Sequence, residues 1–201
     1  MKIKNHFLVP DDGDNVQIRK SPNLSTPFTP LLLVIHYTAN NSLDETVSWF
    51  MNPDAQASSH LVIGRDGRIV QMVAFNKKAW HAGASSWGNL EGINRYSIGI
   101  ELVNAGKLRR RSDDKWVNWA GRVVPDEEVT EAVHRAESTP AGWHEYTDAQ
   151  IESAERVSIL LNSAYHFTDV LGHEDISPGR KVDPGPLFPL NSFRSRVLGR
   201  A

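Results

Sequence analysis

The sequence predicts an α/β fold in a single domain, with a mixed central β-sheet flanked by helices. Three stretches carry that expectation. Leu31 to Ile35 is an unbroken apolar run, too short for a helix and suited to a strand covered on both faces. Ser97 to Val103 alternates with period two: Ile98, Ile100 and Leu102 point one way, and Ser97, Gly99 and Glu101 the other. Thr147 to His166 repeats its apolar residues at helical spacing (Ile151, Ala154, Val157, Leu161, Ala164), behind a Thr147/Gln150 capping box.

The other elements follow along the chain. Residues 1–30, with Pro10, Pro22, Pro27 and Pro30, read as an extended N-terminal arm, and residues 31–201 as the domain proper. The apolar run delivers His36 at its end. Ser42 to Met51 reads as a helix, with Ser42 as N-cap, Glu45 three residues on, and Val47, Phe50 and Met51 as its apolar face. Ser59 to Val73 reads as a hairpin turning at Asp66-Gly67. The pattern then fails over about 104–146, a charged stretch with three tryptophans (Trp116, Trp119, Trp143). It is expected as a long insertion beside the site, mostly loop with short helical pieces near 126–137. Val170 to Gly172 is a short strand, and residues 187–200 end in a short helix.

Composition narrows the function. With 22 basic and 24 acidic residues the net charge is −2, so no basic field argues for nucleic acid. No window approaches the roughly 18 apolar residues of a membrane span, and the N-terminal apolar stretch is too short for a signal peptide core. There is no cysteine, which excludes disulfides, thiolate metal sites and a cysteine nucleophile. A monomer is expected, without nucleic acid or membrane as partner.

The chemistry concentrates in Gly172 to Pro186, where Pro and Gly are too frequent for helix or strand and where His173, Lys181 and Asp183 share one loop. With His36, that makes two histidines and a carboxylate, a common ligand set for catalytic Zn2+ with a fourth position open to water. Water on zinc has a pKa near roughly 7. Glu101, flanked by small residues, suits the proton acceptor. Lys181 suits the group that stabilises an oxyanion. Each has a plainer reading when taken alone. His36 could be a hydrogen-bonded residue at a strand end, Asp183 the start of a turn, Lys181 a solvated charge and Glu101 a salt-bridge partner. Their joint occurrence favours the metal site. The same set also describes the facial triad of a non-haem iron oxygenase, against which the adjacent Lys181 speaks. His6, His134 and His144 sit in polar contexts and are expected in solvent, and His166 closes the long helix, where the dipole favours a cation.

Five ordered blocks add a resemblance. They are Val34 to Ala39, Ser58 to Gly67, Ala79 to Gly83, Asn94 to Glu101, and His173 to Pro186. Over roughly residues 30–190 they resemble the type 2 N-acetylmuramoyl-L-alanine amidases, which share their fold with peptidoglycan recognition proteins and phage amidase lysozymes. The resemblance implies a zinc hydrolase cutting the amide between N-acetylmuramic acid and L-alanine, in peptidoglycan or soluble muropeptides. It places the zinc ligands on His36, His173 and Asp183, the catalytic carboxylate on Glu101 and the charge-stabilising amine on Lys181. It also sets His60, Trp80, His81 and Asn94 beside the substrate groove, where Trp and His side chains would pack against sugar and peptide. The alternative within this superfamily is a non-catalytic muropeptide-binding module, for which loss of a zinc ligand is the usual sign; here all three positions are filled. Without a signal peptide the chain as written is expected in the cytoplasm, or released as a phage-type lysin.

Overall fold

The computed structural model describes residues 1–200. Its centre is a six-stranded mixed sheet in the spatial order Asp169–Gly172, Leu32–Tyr37, Ser97–Leu102, Leu61–Ile63, Ile69–Gln71, Val16–Ile18. The first four run parallel, the Leu61–Ile63/Ile69–Gln71 hairpin is antiparallel, and Val16–Ile18 runs parallel to Ile69–Gln71 at the edge. The expected mixed α/β architecture is borne out. Residues 1–30 are extended in short strands, and one of these, Val16–Ile18, joins the main sheet.

Strand periodicity divides the core between two faces. On one, Leu33, Ile35, Ile98, Ile100, Leu102, Leu61 and Ile63 pack against Ala154, Val157 and Leu161 of the helix Asp148–Tyr165 and Phe193 and Val197 of the helix Leu190–Leu198. Full burial of each such aliphatic side chain contributes about 1.5–3 kcal/mol, which makes this face the main source of stability. On the other face, Val62 and Val70 meet Leu43, Val47 and Phe50 of the helix Leu43–Met51, while Leu32, Val34 and Leu171 meet Ala82, Ile93 and Ile176. The caps read from the sequence hold: Ser42 accepts from Glu45 N (3.2 Å), and Thr147 and Gln150 form a reciprocal box.

The 104–146 segment departs from expectation. It is an antiparallel five-stranded sheet in the order Val123–Val124, Trp116–Val117, Lys107–Arg110, Pro140–His144, Val129–Val133, and helical geometry is confined to a single turn at Asp126–Glu128. Strands of two to five residues are too short to display a period, and their cohesion comes from a few large contacts. Trp116 lies under the Arg110 guanidinium (4.1 Å to the ring centroid) and directly against Gly142, where a Cβ would stand 2.7 Å from the ring. The Trp143 indole is buried and donates to Ala132 O (3.1 Å).

His134 and His144, expected in solvent, are both buried because they join this second sheet to the body. His144 Nδ1 accepts from Ala105 N (2.9 Å) and its Nε2 meets Glu128 Oε2 (2.8 Å), while His134 Nε2 pairs with Glu174. The Gly172–Pro186 segment is also not all loop. His173–Ile176 forms one helical turn, begun by Gly172 N donating to Asp175 Oδ2 (2.7 Å). No helix among the described residues is long and apolar enough to cross a membrane.

Candidate active site

Three parallel strands end at the same edge of the sheet, and each delivers one chemical group there. His36 lies near the end of Leu32–Tyr37, Glu101 sits beside it in register on Ser97–Leu102, and His173 follows Gly172 at the end of the third strand. The carboxyl edge of parallel strands is where open α/β sheets place their ligands. Alternation along each strand turns His36 and Glu101 to the face opposite the long helix, so the apolar residues between them serve the core and these two serve the cleft.

The loop after His173 returns Asp183 to the same point. His36 Nδ1 and His173 Nδ1 stand 2.9 Å apart, and Asp183 Oδ2 lies 3.1 Å from the first and 3.0 Å from the second. All three residues are buried. The outer ring nitrogens fix the tautomers: His173 Nε2–H donates to Ala82 O (3.0 Å), and His36 Nε2–H donates to His81 Nδ1 (2.9 Å). His81 Nε2–H then faces the Ser97 carbonyl (3.5 Å) and hydroxyl (3.3 Å), and the Ser97 hydroxyl donates to Ile93 O (2.8 Å). Both Nδ1 lone pairs and a carboxylate oxygen therefore point at one spot, an arrangement that is repulsive without a cation. Ligand atoms about 2.0–2.1 Å from a tetrahedral zinc are roughly 3.3 Å from one another, close to the spacing here. The donor set and its hydrogen-bonded backing fit a metal site.

The electrostatics agree. Burial, followed by the neighbouring His173, lowers the His36 pKa to about 4, leaving the neutral imidazole that a metal takes. Burial, then the charge of Asp183, raises the Glu101 carboxyl well above its ordinary value, with Lys181 opposing. Glu101 is buried and its Oε2 has no hydrogen-bond partner, in contrast to the other carboxylate of the site. An unpartnered carboxyl oxygen beside a convergent ligand set is poised to exchange a proton with something bound in the cleft.

The cleft has a volume of about 750 Å³, and His36, His81, Glu101, His173, Lys181 and Asp183 are among the residues that line it. Of the other residues expected at the groove, Asn94 works from behind. Its Oδ1 accepts from His81 N (3.0 Å) and Ala82 N (2.8 Å), fixing the dipeptide that holds both histidines. His60 is fully buried behind His81, with Nδ1 accepting from Gly99 N (3.0 Å) and Nε2 bonded to Lys77 O (2.9 Å). Trp80 is half-buried and donates to Ser25 Oγ (3.1 Å), outside the cleft lining.

Other participants emerge only in three dimensions. Arg180 donates to Ala82 O (2.9 Å), Ala84 O (2.7 Å) and Ser177 Oγ (2.7 Å), tying the ligand loop to the His81 loop. The Tyr146 hydroxyl donates to Pro184 O (2.8 Å), next to Asp183. Gly99 lies flat under His81, and a Cβ there would be 2.5 Å from its ring. The cleft is also lined by Trp49 and Phe50 of the first helix and by Asn118, Trp119 and Arg122 of the second-sheet segment. The single sign of that lining in the sequence was tryptophan in an otherwise charged segment.

Residues 26–186 match the family described as N-acetylmuramoyl-L-alanine amidase. Among curated proteins, N-acetylmuramoyl-L-alanine amidase A of Achromobacter lyticus is 42% identical over 188 residues, covering 89% of this chain and 90% of the relative. The 1,6-anhydro-N-acetylmuramyl-L-alanine amidase AmpD of Salmonella typhimurium is 30% identical over 214 residues, covering 94% and 95%. Among solved structures, an AmpD crystal structure superposes with a TM-score of 0.68 at 27% identity, covering 98% of this chain and 99% of that one. Escherichia coli AmiD, in complex with the substrate anhydro-N-acetylmuramic acid-L-Ala-D-γ-Glu-L-Lys, gives 0.63 at 29% identity, covering 91% of this chain and 62% of AmiD.

Proposed function

The chain belongs to the N-acetylmuramoyl-L-alanine amidase family, and from that premise we propose that it is a zinc-dependent hydrolase of the amide joining N-acetylmuramic acid to L-alanine in muropeptides. The observation that carries this reading is the convergence of His36 Nδ1, His173 Nδ1 and Asp183 Oδ2 beside the unpartnered Glu101 carboxyl. A zinc ion held by these three would supply Lewis acidity and an acidified water at neutral pH.

The protein's own groups do the rest. Glu101 takes the proton of the attacking water at its carboxylate and returns it to the departing alanine nitrogen. Burial suits it to this, because a raised pKa makes the carboxylate a stronger proton acceptor than an ordinary one. Lys181, on the cleft lining, offsets the negative charge that develops on the carbonyl oxygen. His81 and Ala82 keep the ligand histidines in the tautomer that exposes Nδ1. His60 packs against His81 from behind the cleft. All three metal positions being filled favours catalysis over a binding-only module.

The substrate reading follows the relatives: soluble anhydro-muropeptide, as for the AmpD proteins, ahead of intact sacculus. The test uses purified protein on both substrates, after chelation and after zinc is restored, with products identified by mass spectrometry. Free stem peptides beginning at L-alanine, lost on chelation and regained with zinc, are the expected result. Zinc bound at one equivalent with neither substrate cut would overturn the hydrolase in favour of a binding module. Substrate consumed only with ferrous iron and dioxygen, without release of free stem peptide, would overturn the hydrolase in favour of an iron oxygenase.

A further inference from the structure

The second sheet puts an indole at the rim of the cleft and holds it there. Trp119 is 78% exposed, yet its Nε1–H donates to Ala39 O (3.0 Å), and the neighbouring Asn118 Nδ2 donates to the same carbonyl (3.2 Å). Asn118 is itself buried, and its Oδ1 accepts from Ala120 N (3.1 Å) and Arg122 N (3.0 Å), which closes the turn. Arg122 is paired with Glu45 on the first helix (2.6 Å). Ala39, the shared acceptor, adopts a left-handed φ of 54°, unfavourable for a residue with a Cβ.

A single exposed tryptophan is unremarkable on a protein surface. An exposed tryptophan whose only polar atom is engaged and whose turn is anchored on both sides is a rigid flat surface, which loses little entropy when a ligand covers it. The ring lines the 750 Å³ cleft that contains Glu101, and also a recess of about 350 Å³ that includes Tyr37 and Leu108. Trp49, 55% exposed, stands at the same cleft.

We propose that Trp119 is a platform for the saccharide ring of the substrate and determines specificity on that side of the scissile amide. This rests on the muropeptide reading above. With Nε1 engaged by Ala39, the indole offers a ligand only its faces. A pyranose presents a flat array of C–H groups to such a face, whereas the stem peptide presents amides and carboxylates, which seek hydrogen-bond donors or cations. The platform is set by the second sheet, so this segment extends the cleft outward rather than closing it.

The experiment compares wild type, Trp119→Ala and Trp119→Phe on a soluble anhydro-muropeptide and on the same sugar carrying only L-Ala-D-Glu. Trp119→Ala is expected to raise KM about 5–10-fold on both, with a smaller effect on kcat, and Trp119→Phe to recover most of the loss. Anhydro-N-acetylmuramic acid without peptide is expected to change the tryptophan fluorescence of wild type saturably, and not that of Trp119→Ala. An unchanged KM would overturn the proposal. So would a penalty confined to the longer stem, which would place the peptide on the ring. If wild type cut neither substrate, the amidase reading would fail. The fluorescence titration would still decide whether the ring binds sugar. Circular dichroism and zinc stoichiometry should be unaltered in both variants, since the ring is outside the core.

Discussion

Replacing Asn94 with alanine should loosen the metal site without touching a ligand. Its Oδ1 accepts two backbone N–H groups, from His81 (3.0 Å) and Ala82 (2.8 Å), and those two residues receive the outer nitrogens of His36 and His173. A buried N–H left without an acceptor costs about 1–3 kcal/mol. Both residues are buried, but Asn94 is only partly so, and water entering where its amide stood can recover part of the loss. The sum for the pair is then about 2–4 kcal/mol of unfolding free energy. Loss of an outer-shell partner weakens metal binding about 10–100-fold, and here one side chain supports both histidines, which argues for the upper half of that range. Zinc affinity from competition with a chromophoric chelator, together with urea unfolding of the metal-free protein, reads both quantities. Asn94→Asp, which keeps an acceptor at the same place, should retain zinc affinity within about threefold. The reasoning is refuted if Asn94→Ala binds zinc as tightly as wild type and instead raises KM, because Asn94 would then be a substrate contact, as the family resemblance alone implied.

Further outcomes follow from the same geometry. Glu101→Gln should bind zinc normally while kcat falls about 10²–10⁴-fold, the range for loss of a general acid–base, measured by steady-state turnover. In the metal-free protein the raised Glu101 pKa means that the folded state holds its proton more tightly than the unfolded state, so stability falls as pH rises from near the ordinary carboxyl value of 4.5 through the folded pKa. Glu101→Gln should therefore raise the neutral-pH Tm of the metal-free protein, with the gain fading toward pH 4.5; equal Tm differences at both ends would contradict the burial argument. Zinc at 100 times its Kd should add about 2.7 kcal/mol to the stability of wild type and little to that of Asp183→Asn, as seen in thermal melts. Gly99→Ala would place a Cβ 2.5 Å from the His81 ring, so it should cost about 1–3 kcal/mol and weaken zinc binding, whereas a melt and a zinc titration matching wild type would mean that the ring can move aside freely.

The readable parts of this protein were those with local periodicity or local chemistry. The strands ending at His36 and Glu101 and the long helix behind Thr147 announce themselves because one face of each is buried, and burial writes period two or 3.6 into the chain. The convergence of His36, His173 and Asp183 was foreshadowed because His173 and Asp183 fall within one short segment and His36 closes an apolar run. The second sheet was not, since its strands are as short as two residues and owe their order to Trp116 on Gly142 and to the Lys107–Arg110/Pro140–His144 pairing across some thirty residues of chain. Nor could composition reveal that His134 and His144 are buried. Each looks solvated until its partner, Glu174 or Glu128, arrives from elsewhere. The different surroundings of His60, His81 and Asn94 were invisible for the same reason, because hydrogen-bond direction is a property of the folded chain.

The register that sets His36 against Glu101 has a consequence for how such a protein can change. Two neighbouring parallel strands fix the separation between His36 and Glu101 through a ladder of backbone bonds, and a slip of one residue in either strand would turn its side chain into the core. The reactive pair can therefore drift only by unfolding, whereas the Asn118–Arg122 turn hangs from one carbonyl and one ion pair and can be rebuilt without disturbing it. Grafting turns of other lengths between Val117 and Val123 is a direct way to redirect the cleft while its chemistry stays put.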